Sequence, residues 1–338
     1  MQTVYKALLT TLLIFCSVKI FAQSGAGVLL NEGLELQKAS KHTQAIEKFK
    51  AALASEPDNA AANYQLAFSL VAEKKGAEAI PFAEKAISTP STFTAPAYSL
   101  LGGIYDASGQ AQKAVAAYNA GIKLTPADQN MWFNLGLAYF RNKQYVEAEK
   151  AAIEAIKLDV KHANSQRLYA LVAFHQNKRL NALIGLCSFL LTDPNSNRAE
   201  EAYTNIQSIL KGGVLKGADT KNLSPPEAKE ANTFNTIIAN AINAPSAKRL
   251  QGVALTEYQL KSIFTQAGQA VNKKTGKTFF DTFFVMPFYQ LAQAGHTEAL
   301  AQLINKSADG AAYEKWIGSN PEKKIALDNW IKATRRLF

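Results

Sequence analysis

Several residues in this 338-residue chain invite a chemical reading. Gly276-Lys277-Thr278 has the ending of a phosphate-cradling loop. The earlier glycine that such a loop requires falls on Val271, however, and no strand precedes it, so backbone amides have no means of wrapping a phosphate. The four histidines are His42, His162, His175 and His296. None forms a His-x3-His pair or stands beside carboxylates at ligand spacing, so no metal site is expected. No Gly-x-Ser-x-Gly elbow presents a serine nucleophile. No catalytic residue, cofactor or metal follows from these patterns. What remains is recognition chemistry, carried by aromatic, amide and arginine side chains that recur at helical spacing: Tyr64 and Phe68; Asn130, Phe133, Leu137, Phe140 and Arg141; Asn164, Arg167, Leu171, Phe174 and His175. Aromatics and arginines are the usual anchors of interfaces.

Those residues need helices at a fixed repeat to bring them to one surface, and the sequence supplies one. Trp132, Leu135-Gly136, Tyr139 and Ala148 set a phase that returns every 34 residues. Leu101-Gly102, Tyr105, Ala114, Tyr118, Gly121 and Pro126 fill it one period upstream. With one residue inserted at Thr94, the phase extends back to Ala26 and forward to Ser196. The repeats are then 26–59, 60–94, 95–128, 129–162 and 163–196. The eighth position is small throughout (Gly33, Ala67, Gly102, Gly136, Ala170), which lets the first helix of each pair approach the second. The twentieth is alanine in all five, where the helices cross at the usual 8–10 Å separation. Prolines near the end of several repeats stop the second helix.

The pattern W-x2-L-G-x2-Y…A resembles the tetratricopeptide repeat superfamily over 26–196. The resemblance implies an all-α fold. Helix-turn-helix repeats stack into a right-handed superhelix whose concave groove, lined by the first helices, binds proteins or peptides. By helical spacing the aromatic and arginine residues above fall on that stripe, with Arg141 and Arg167 on its rim; Val71 joins Tyr64 and Phe68, and the third repeat is sparse there, with Ser99, Gly103 and Asp106. Chaperone-binding members hold a C-terminal carboxylate with an asparagine at the ninth position. Here that position holds Leu34, Phe68, Gly103, Leu137 and Leu171, so the clamp is absent. Two readings of the aromatic stripe stand at this point: a groove for a peptide in trans, or a face covered by the C-terminal part of the same chain.

Residues 1–22 read as a secretory signal, with Lys6 before the apolar run Ala7–Phe15 and Phe21-Ala22 at the cleavage site. Export to the periplasm or beyond is expected, and no integral membrane segment. Phe15 stands where a lipoprotein would need a small residue before Cys16, which argues against lipid anchoring. Cys187 then remains alone, as a small buried hydrophobe.

Residues 197–213 read as a capping helix, 214–223 as a linker, and 224–338 as a C-terminal helical domain opened by Ser224-Pro225-Pro226-Glu227, a capping box with proline in the first turn. The segment Phe279–Ile304, with the Trp316 and Trp330 segments, is similar to the helical tail of exported tetratricopeptide repeat proteins of Bacteroidetes-type bacteria. Seven large apolar side chains between Phe279 and Tyr289 exceed one narrow stripe, which fits a helix buried on most sides or a membrane- or partner-binding surface. The net charge of +10 is concentrated after residue 196, in short basic pairs without interleaved aromatics. That pattern argues against nucleic acid and leaves contact with an anionic envelope polymer open. The expected function is a non-enzymatic protein-binding scaffold. An unrecognised activity in the C-terminal domain and self-association are the alternatives.

Overall fold

The computed structural model describes residues 25–213 and 223–334, and among them every regular element is helical. The order is α1 (25–38), α2 (His42–Ser55), α3 (Ala60–Ala72), α4 (Gly76–Ser88), α5 (Thr94–Ala107), α6 (Ala111–Leu124), α7 (Gln129–Arg141), α8 (Tyr145–Leu158), α9 (Ala163–His175), α10 (Arg179–Thr192) and α11 (Ala199–Leu210). Then follow α12 (Pro225–Asn243), a 3-10 turn (Ala247–Arg249), α13 (Gly252–Asn272), a π-helical segment (Phe280–Val285), α14 (Met286–Gln293), α15 (Thr297–Asn305), α16 (Gly310–Ser319) and α17 (Pro321–Ala333). The contacts divide the chain into two compact units, one ending at Ala138 and the other beginning at Tyr139.

One backbone device recurs through the hairpins. Ser40, Lys74, Gly109, Lys143 and Asn177 all have positive φ, between 55° and 74°, at intervals of 34 residues except across the insertion. At each, the residue's own N–H and that of the next residue bond back to the helix just ended. At the second turn, Lys74 N–H donates to Val71 O at 2.9 Å and Lys75 N–H to Leu70 O at 2.8 Å. This is a left-handed helix terminus of the Schellman type. Only one of the five turns uses glycine, although the conformation costs other residues roughly 1 kcal/mol. Lys143→Gly is therefore expected to raise stability by about 0.5–1 kcal/mol, read as a higher urea midpoint at unchanged slope.

In the first unit the core runs through Phe49, Leu66, Leu70, Ala79, Ala83, Leu101 and Ile104. The small eighth-position residues act as the spacing implies. A Cβ added at Gly33 would lie 2.4 Å from the Phe49 ring, and one at Gly102 would lie 2.5 Å from the Tyr118 ring. Tyr118 is fully packed and cannot swing aside. Gly102→Ala is expected to cost about 1–3 kcal/mol through overpacking, seen as a lowered melting temperature.

In the second unit α10 is buried along its whole length except Thr192. It packs against α9 and α11 and also against α12, the π-helical segment and α15. Tyr169 of α9 stacks on Phe284 at 5.0 Å and 12°. Asn235 of α12 accepts from the Arg179 N–H and donates to Asn177 O. The phenylalanine segment is core: Phe280, Phe283, Phe284 and Phe288 are all buried. The π-helical turn just before Pro287 is the local solution to two problems. Pro287 lacks an N–H and crowds the carbonyl four residues back, and a widened turn relieves both. It also spreads the rings over more than one face, which a regular helix would not do.

Candidate functional site

A hollow of about 890 Å³ opens on the first unit. One wall is Tyr64, Phe68 and Val71 of α3, and the next is Ala77 and Ile80 of α4. The middle is Pro96, Ser99, Leu100, Gly103, Ile104 and Ala107 of α5, and the far side is Asp128, Asn130 and Asn134 at the start of α7. Lys74, Ser108 and Gln110 also line it. Phe68 is 41% exposed, unusual for a phenylalanine, while the Tyr64 ring is held by Phe93 at 5.5 Å between centroids. Phe93 precedes α5 in the segment lengthened by the insertion. Burial raises the Tyr64 hydroxyl pKa above its ordinary value. The lining is mainly apolar, with one cation, Lys74, and one carboxylate, Asp128. Asp128 is partly spent on its own helix, accepting from Met131 N–H at 3.0 Å.

The residues expected on the recognition stripe are distributed unevenly. Tyr64, Phe68 and Asn130 are brought together around the hollow. Phe133 and Leu137 lie half-buried on α7, outside its lining. In the second unit Phe140 meets His175 edge-on at 5.1 Å, and Tyr145 stacks on His175 at 4.9 Å and 21°. Burial lowers the His175 pKa from its ordinary value. Arg141 and Asn164 are exposed and Leu171 is half-buried. Arg167 is drawn into an ion pair with Glu201 of α11 at 2.7 Å. Phe174 is buried at 8% exposure, a rotation of one residue away from His175 around α9, so its ring is part of the packing.

The contributors from second helices, Tyr118 of α6 among them, were missed by reading the first helices alone. Ala77 and Ile80 come from α4, the second helix of its pair. Ser99 and Gly103 read as a gap in the stripe, and their small size is what makes the space. Asn134 follows Asn130 by four residues, so helical spacing alone would have placed it.

Among the described residues no group of His, Cys, Asp or Glu is arranged to hold a metal ion. Cys187 is a free thiol, buried, and burial pushes its pKa up, which makes it unreactive. No described helix is long and apolar enough to cross a membrane.

Residues 30–92 and 100–159 match the tetratricopeptide repeat family. Among curated proteins none matches the chain. Among solved structures the chain is similar to YrrB, described as a TPR protein with an unusual peptide-binding site. The identity is 19% and the TM-score 0.47, covering 52% of this chain and 90% of that one. It is also similar to MamA of Desulfovibrio magneticus RS-1, with 18% identity and a TM-score of 0.48 over 51% and 97% of the two chains. A third is pilF of Pseudomonas aeruginosa, with 17% identity and a TM-score of 0.44 over 58% and 96%. The segments 30–92 and 100–159, set in an all-helical fold with recurring hairpin turns, are thus the part of this chain that matches the tetratricopeptide repeat family.

Proposed function

We propose that the chain is a non-enzymatic scaffold that binds an extended peptide segment of a partner protein in the hollow between α3, α5 and α7. The observation that carries this is Phe68, a large apolar ring left 41% exposed on the wall of a hollow of about 890 Å³. That volume lies within the range of ligand sites and suits several residues of an extended chain. Apolar walls favour the peptide's side chains, while Asn130, Asn134 and Gln110 offer amides to its backbone. Phe68→Ser is expected to weaken peptide binding at least tenfold, since aromatic anchors dominate such interfaces. Because the ring is already exposed, the melting temperature should stay nearly unchanged. Binding measured by calorimetry on both forms, with peptides selected from a displayed library, tests the reading; equal affinity would sink it.

Placement in the cell envelope is part of the same proposal. It rests on residues 1–22, which lie outside the described residues. N-terminal sequencing of the mature chain is expected to begin at Gln23. Contact of the basic C-terminal part with an anionic envelope polymer would show as retention on that polymer that falls with added salt.

A further inference from the structure

The lining of the hollow includes a hydroxyl that has no hydrogen-bond partner among the described residues. Tyr118 of α6 is only 2% exposed. Its ring lies flat under Gly102, where a Cβ would fall 2.5 Å from it, and its hydroxyl emerges under Gly103, where a Cβ would stand 3.8 Å from the oxygen. Tyr118 lines the hollow. Among the described residues none hydrogen-bonds that hydroxyl; burial acts on it and raises its pKa to about 12. The oxygen opens on the hollow, where water can satisfy it, so a ligand that covers it without pairing it would leave a hydroxyl unpaired at a cost. The residues above it are Ser99, Gly103 and Ala107, all small, so a ligand side chain can descend to the oxygen.

We propose that Tyr118 is the specificity residue of this hollow, and that the bound peptide inserts a tyrosine between Phe68, Ile80 and Ile104 until its hydroxyl meets that of Tyr118 above Gly103. This rests on the peptide-binding reading of the same hollow. The chemistry selects among side chains. A carboxylate would be stripped of water between apolar walls, with Lys74 the one lysine or arginine in the lining. An aliphatic side chain fills the space and leaves the Tyr118 hydroxyl unpaired. A phenol matches the apolar walls with its ring and can donate or accept at its tip.

The test uses the full chain and a randomised heptapeptide library displayed on phage, with the recovered peptides resynthesised with blocked ends. The expected peptides share a tyrosine. Changing it to phenylalanine should weaken binding about fivefold on the natural chain and leave binding unchanged on Tyr118→Phe. Tyr118→Phe itself should leave the melting temperature nearly unchanged, since the hydroxyl it removes faces the hollow and bonds no described residue. Gly103→Leu should abolish binding by filling the hollow, with Gly103→Ala as a folded control that removes glycine from a helix. Peptides that lose affinity on Phe68→Ser but carry no tyrosine, or that bind equally with phenylalanine, overturn the Tyr118 assignment and leave the groove standing. If no recovered peptide responds to Phe68→Ser, both fall.

Discussion

A chain ended at Gly213 is expected to lose its fifth helix pair along with the removed helices. Helix α10 has no solvent face to return to. A repeat helix covered on one side only would leave about half its side chains exposed, yet Leu180, Leu183, Ile184, Leu186, Cys187, Phe189 and Leu190 are all buried. The cover on the far side is α12, the π-helical segment and α15, and the Tyr169 ring rests on Phe284. Exposing roughly half a dozen large apolar side chains, at about 1.5–3 kcal/mol each, costs on the order of 10 kcal/mol. That matches the whole stability of an ordinary domain, about 5–15 kcal/mol. The severed chain also leaves Arg179 N–H and Asn177 O without their Asn235 partner. Hydrogen exchange should show amides of α9 and α10 exchanging at the rate of open chain, while those of α3 to α6, in the other unit, keep their protection. Continued protection of α10 would mean that the repeat array is self-sufficient and that the C-terminal helices merely lean on it.

That coupling explains what was legible in the sequence and what was not. The helix pairs were legible because their determinants are local: a small residue at the eighth position, an alanine at the twentieth, and Leu or Tyr between them. Ser224 and Glu227 announced α12 in the same way, and both hydrogen bonds of that capping box form. Gly109 and Asn177 suit a left-handed turn, but most of these turns were invisible because Ser40, Lys74 and Lys143 are not residues that turn chemistry advertises. Their conformation is imposed by the packing of the helices on either side. The largely apolar run of α10 from Leu180 to Leu191, interrupted by Asn181 and Ser188, carried a usable signal: a helix hydrophobic nearly all round is buried nearly all round. Periodicity assigned it to a repeat and so hid the fact that it has two covers.

The site was legible in part for a related reason. Spacing along one helix put Tyr64 and Phe68 on a common face, and they share the hollow. Spacing cannot tell which of several aromatic faces is left open. Arg167 looked like a rim cation until Glu201, from a different helix, reached it. Nor does a list of large residues describe a cavity, because Ser99, Gly103 and Ala107 contribute by what they lack. The feature that gives the hollow its chemistry, Tyr118, lies on α6 and was read as core, which its ring is.

Lys274→Met is expected to lower the stability of the second unit by about 3–5 kcal/mol, the usual cost of breaking a buried ion pair from one side. Asp281 is fully buried at the start of the π-helical segment. Lys274 Nζ donates to both of its oxygens, at 2.8 and 2.9 Å, and also pairs with Glu230 of α12. Thr278 adds its N–H at 2.8 Å and its hydroxyl at 3.0 Å. Lys274 thus ties the segment after α13 to α12, with its ammonium 5.2 Å from the centre of the Phe234 ring. Without the lysine, Asp281 keeps only the two threonine donors for a charge with no access to water. Burial by itself would lower the Lys274 pKa, but the hydrogen bonds it donates to Asp281 and Glu230 prevail and hold it above its ordinary value. A raised folded-state value means that the stabilisation is fully present below the unfolded lysine value of about 10.4 and is lost as pH rises through the folded one. The natural chain should therefore weaken in alkali more steeply than Lys274→Met does. Adding Asp281→Asn to Lys274→Met removes the orphaned charge and is expected to restore most of the loss. Urea titrations of the two variants at neutral pH decide the matter. If the double variant is no more stable than the single, the loss comes from the lysine's packing on Phe234 and not from the uncompensated carboxylate.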